Sequence, residues 1–100
     1  MARRKKIELL KKAKRFIGDR FFEGICSALE SAASLSGVEY KKDAKELRQY
    51  ISVNLEGYDW LGSWIRIKRP KYKGTLKQAR VAYIDWMITC YEEDIANGKT

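Results

Sequence analysis

Apolar residues recur at helical spacing through most of this chain. Ile7, Leu10 and Ile17 fall on one side of a 3.6-residue period, and Leu9, Ala13 and Phe16 widen that side. The other positions there are mostly Lys and Arg, so the pattern predicts a basic amphipathic helix over 4–17, within a basic N-terminal segment 1–18. Gly18 is a stop signal and Asp19 a cap for the next helix. That second helix is expected over 19–34, with Phe22, Ile25 or Cys26, Leu29 and Ala32 or Ala33 on one face. Ala44, Leu47, Ile51 and Leu55, spaced 3, 4 and 4, predict a third helix over 42–55.

A short helical turn over 58–65 follows. Asp59 would cap it, and Trp60 with Trp64 and Leu61 with Ile65 are i,i+4 pairs. The alternation in 64–68 also fits a strand. The last helix carries the firmest signal. Thr75 and Gln78 have capping-box spacing, and Asn97-Gly98 closes the helix after Ile95 or Ala96. Nine of the eleven residues from 81 to 91 are apolar or aromatic, all but Asp85 and Thr89, so no single stripe can bury them. The expectation is an all-α fold: one domain over 1–100, a compact bundle of four longer helices and one short, with the long C-terminal helix central. Enclosing that helix in so small a chain suggests a homo-oligomer with this helix near the interface.

Composition narrows the function. With 45% hydrophobic and 12% aromatic residues the chain is too apolar for disorder. No apolar run reaches the roughly 18 residues a membrane helix needs, and no continuous apolar segment follows the basic start, so neither a membrane span nor a signal peptide is expected. Without histidine, the commonest general base and the commonest metal ligand are missing. Cys26 and Cys90 lack CxxC spacing and sit in apolar surroundings, which fits buried thiols in a reducing cytosol rather than a zinc site. The chain reads as a non-enzyme with no metal and no cofactor, in the cytoplasm.

Charge is the strongest compositional feature. The net charge of +8 is concentrated in two blocks. Residues 1–20 hold nine bases and two acids; residues 61–80 hold seven bases and no acid. Such blocks point to an anionic partner. The second block runs into the start of the last helix, where the macrodipole favours acids, and Glu92, Glu93 and Asp94 sit at its far end, where bases are favoured. Both ends are inverted. One reading is a phosphate site: Lys73, Thr75, Lys77, Arg80, Arg69 and Lys71 would contact phosphate beside the free N–H groups of the helix start. Arg66 and Lys68 would steer, and Tyr72 and Trp64 would stack on a base. The rival reading pairs these cations with acids of the same fold or of a neighbouring subunit. Arg3, Arg4, Lys5, Lys11, Lys12 and Arg15 form a secondary basic patch suited to a phosphate backbone. The first helix lacks a Trp, which argues against membrane anchoring.

GICSALESAA at 24–33, a helix ending LEG at 55–57, a Leu-Gly-x-Trp-Ile turn at 61–65 and ARVAYIDWMITCYE at 79–92 together resemble small uncharacterised all-α proteins of tailed phages. The likeness covers about residues 21–93 and leaves out the basic first helix. It implies a host-cell cytoplasmic setting and a non-catalytic anti-defence role; it transfers no binding residues. The leading expectation is an oligomer that sequesters a nucleotide signal. The alternatives are a DNA- or RNA-binding protein using both basic blocks, and an inhibitor docking on an acidic host protein.

Overall fold

The computed structural model describes residues 2–20, 24–54 and 74–98. Among them are four α-helices and no strand, as the periodicity predicts. Helix α1 spans Ala2–Ala13 and tightens into a 3-10 turn at Lys14–Phe16, a common way for a helix to end. Helix α2 spans Ile25–Ser36. A second 3-10 turn, Val38–Tyr40, leads into α3 at Lys41–Asn54. Helix α4 spans Leu76–Ala96. The expected short helix over 58–65, its rival strand over 64–68, and Phe22 and Leu55 of the predicted apolar faces lie outside the described residues.

The ends of these helices follow local chemistry in two places and depart from it in one. Thr75 Oγ1 accepts from the Gln78 N–H at 3.2 Å, and the Thr75 N–H donates to Gln78 Oε1 at 3.0 Å, which completes the capping box. Helix α2 ends at Gly37, whose φ of 101° only glycine adopts readily; a Cβ there would also sit 2.9 Å from Glu39 Oε2. The start of α2 corrects the sequence reading. Asp19 does not cap it: residues 19 and 20 form a bend, and α2 begins at Ile25 behind Gly24. The Asp19 carboxylate is engaged by a different helix start, described below.

Helix α1 lies against α2, α3 and α4. Leu9 and Leu10 of α1, Leu29 of α2, Leu47 of α3, and Tyr83 and Ile84 of α4 are the largest fully buried side chains. Burying each contributes about 1.5–3 kcal/mol. Ala13, Ala28 and Ala32 are buried too, and small side chains there let helix backbones approach. Burial also pushes the Tyr83 phenol well above its usual pKa, and its ring sits 5.7 Å from that of half-buried Trp86, tilted by 44°.

The apolar run in α4 is buried or partly buried in this chain. From 81 to 91 only Asp85 and Thr89 are exposed, and these are the two residues of that run that are neither apolar nor aromatic. Thr89 Oγ1 donates to the Asp85 carbonyl at 3.0 Å, and Lys14 Nζ reaches Asp85 Oδ1 at 2.7 Å. Tyr83, Ile84, Met87 and Ile88 are buried within the chain, and Val81, Ala82, Trp86, Cys90 and Tyr91 are partly covered.

These packing differences have a direct consequence. Leu29→Ala should lower unfolding free energy by about 2–5 kcal/mol, because Leu29 is fully buried. Leu35→Ala, at a residue 76% exposed, should change it by less than about 0.5 kcal/mol. Urea denaturation followed by circular dichroism checks both.

Candidate functional site

The start of α4 is occupied from within. The Lys77 N–H donates to Asp19 Oδ1 at 2.6 Å, so a carboxylate of this chain stands where the helix dipole favours an anion. The Arg80 guanidinium is buried and donates from Nη1 to the Gly18 carbonyl at 2.6 Å and to the Arg20 carbonyl at 2.9 Å. These carbonyls belong to the non-helical segment that follows the 3-10 turn at Lys14–Phe16. Thr75 Oγ1 takes part in the capping box. Of the predicted phosphate ligands, Thr75 and Lys77 are exposed and Arg80 is turned inward. Lys73, Arg69 and Lys71, the steering residues Arg66 and Lys68, and the stacking candidates Tyr72 and Trp64 lie outside the described residues.

The same contacts set the register of α1 against α4. Arg3 Nε meets Asp94 Oδ2 at 3.4 Å, Lys6 Nζ stands 5.9 Å from the Tyr91 ring centroid, Lys14 meets Asp85, and Gly18 meets Arg80. As one residue number rises the other falls, so the two helices run antiparallel. The acidic end of α4 thereby lies beside the first turn of α1.

The residues of the predicted secondary patch, with Lys6 and Lys14 beside them, divide by face along α1 and the 3-10 turn that follows it. Three cations that face other helices have carboxylates: Arg3 has Asp94, Lys6 has Glu46 at 3.1 Å, and Lys14 has Asp85. The hydrogen bond from Lys6 holds the Glu46 carboxyl below its usual pKa. Arg4, Lys11 and Arg15 are exposed, and none has a carboxylate of a described residue within salt-bridge distance. Positions 4, 8 and 11 share one face of α1 at 3.6 residues per turn, and Arg15 follows them in the 3-10 turn. From Arg4 to Lys11 the helical part of that line is about 10 Å long, at 1.5 Å per residue.

Beside this line sits Tyr40, which the sequence alone does not single out. Lys12 Nζ is 5.2 Å and Lys5 Nζ 5.8 Å from its ring centroid. Its hydroxyl donates to Glu8 Oε2 at 2.5 Å, and that bond is the main reason its pKa is raised. Lys12 also donates to Ser36 Oγ at 3.1 Å. Glu8, the one acid on the outer line, is thus held by Tyr40. Only the packing of α1 against the segment after α2 brings this tyrosine to the lysines, so no local pattern reveals it.

Other chemistry finds little support. Cys26 and Cys90 are half-buried thiols, and burial pushes the Cys26 thiol up, away from reactive thiolate. Among the described residues, no group of three or more His, Cys, Asp or Glu side chains is placed to hold a metal ion. No helix among them is long and apolar enough to cross a membrane. Asp43 is buried in the first turn of α3, where a carboxylate suits the helix dipole. No protein family, curated protein or solved structure matches this chain.

The geometry at α4 separates stability from binding. Arg80→Met should cost about 1.5–3 kcal/mol of unfolding free energy, because it removes charge-assisted bonds to carbonyls, one of them buried. Lys77→Ala should be nearly neutral, since the bond to Asp19 uses the backbone N–H. Chemical denaturation of ligand-free protein measures the contrast.

Proposed function

We propose that this chain is a non-enzymatic binder of phosphate-rich ligand, and that the ligand is the backbone of a nucleic acid laid along the outer face of α1. One observation carries the reading: Arg3, Lys6 and Lys14 have carboxylates on other helices, while Arg4, Lys11 and Arg15 face solvent in a line without a carboxylate of a described residue. Lys5 and Lys12 beside Tyr40 extend the positive surface. A net charge of +8 supplies long-range attraction to a polyanion. Phosphate contacts position a protein without reading sequence, so the proposed binding has little base specificity.

Capture of a small nucleotide at the start of α4 has less support. Asp19 already stands at that helix start, and Arg80 bonds to Gly18 and Arg20. In the phage setting that the sequence resemblance implies, the proposed activity corresponds to occupying nucleic acid rather than removing a nucleotide signal.

Fluorescence anisotropy with a labelled 20-mer duplex tests the proposal. Wild-type affinity should fall linearly in log salt, and the combined Arg4→Gln, Lys11→Gln, Arg15→Gln variant should lose about 0.9 of slope per lost contact. Absence of wild-type binding at about 50 mM salt, or a variant with unchanged affinity and slope, overturns it.

A further inference from the structure

Helices α2 and α3 border an open cleft of about 500 Å³. Its volume falls in the range of roughly 300–1,000 Å³ typical of small-ligand sites. Buried Ala33 and Ala44 line it, together with the exposed Ser34. Lys41, Lys45 and Arg48 of α3 also line it, with Glu30 of α2 as the one acid among the described residues of the lining. A second hollow of about 340 Å³ shares Lys45 and Arg48, so two neighbouring cavities use the same two cations.

The spacing of these cations is unfavourable for α3 alone. Lys41 and Lys45 are four apart, and Lys45 and Arg48 three apart. Like charges at such separations destabilise a helix by about 0.2–0.5 kcal/mol per pair. Glu30 offsets one of the three charges, through Oε1 at 2.6 Å from Arg48 Nη1. Lys41 and Lys45 have no carboxylate of a described residue within salt-bridge distance. The cleft therefore holds a net positive lining, a hydroxyl, and an apolar floor of two alanines. Charge and hydroxyl suit phosphate oxygens. The guanidinium adds a planar donor set that a phosphate accepts in bidentate fashion. A bound phosphate would compete with Glu30 for Arg48.

We propose that the α2–α3 cleft binds a phosphate group, held by Lys41, Lys45 and Arg48 with the Ser34 hydroxyl, and that Glu30 is its built-in competitor. Two sources share this chemistry: a free phosphorylated small molecule, and a phosphate of a nucleic-acid strand. The site stands on residues separate from the α1 face, so either reading can fail alone.

Isothermal calorimetry with inorganic pyrophosphate at low ionic strength tests the site. Wild-type protein should bind saturably. Lys45→Gln should weaken binding about tenfold, as removal of a charge-assisted contact does. Glu30→Gln should strengthen it about two- to fivefold, the worth of one exposed ion pair. Both substitutions lie at exposed positions, so thermal melts should stay close to wild type. No saturable binding by wild-type protein, or affinities unmoved by both substitutions, overturns the proposal. Oligonucleotide anisotropy then assigns the source. Loss of strand affinity in Lys45→Gln, with competition by pyrophosphate, supports a strand phosphate. Unchanged strand affinity alongside altered pyrophosphate binding supports a free phosphorylated molecule.

Discussion

The antiparallel contact between α1 and α4 is the constraint on which the rest of this fold depends. Taken alone, each end of α4 carries charge its own dipole disfavours, at about 0.3–1 kcal/mol per residue. Beside an antiparallel neighbour the account changes. Arg80, near the start of α4, meets carbonyls that follow the end of α1. Asp94, near the end of α4, meets Arg3 in the first turn of α1. Charge-assisted hydrogen bonds from a buried guanidinium are worth about 1.5–3 kcal/mol, enough to outweigh the local dipole penalty. Asp19 closes the exchange by accepting from the Lys77 N–H.

This exchange sorts the basic residues of α1 into two groups. Three of them join the fold: Arg3 ties α1 to α4, Lys14 ties the turn after α1 to α4, and Lys6 ties α1 to α3. The core beneath, from Leu9 and Leu10 to Tyr83 and Ile84, fixes which face can turn outward. Arg4, Lys11 and Arg15 are what that face presents, and it is on them that the proposed nucleic-acid contact rests. The second proposed site follows the same logic on α3, where a single carboxylate answers three cations.

Much of this was legible in the chain because the signals are local. The capping box at Thr75 and Gln78 forms as its spacing predicts. Three longer helices fall where periodicity puts them, within a few residues at their ends, and the start of α2 is the larger departure. The departures involve partners far apart in sequence. Asp19 is a good cap for any nearby helix start, and nothing at 19–25 reveals that its partner is Lys77, 58 residues away. Arg80 reads as a phosphate ligand from its neighbours in sequence, yet its acceptors are backbone carbonyls 60 and 62 residues back. Tyr40 has no motif at all. Lys41, Lys45 and Arg48 were readable as an i, i+4, i+7 basic edge, but only the packing of α2 turns that edge into a cleft.

The pairing of α4's inverted charges with α1 requires that the two helices run in opposite directions. Distances between paired spin labels at exposed positions test this most directly. Labels at Arg4 and Glu93 should lie close, and labels at Arg4 and Lys77 farther apart, by up to the roughly 24 Å of helix between 77 and 93. The reverse order, with Arg4 nearer to Lys77 than to Glu93, would contradict it.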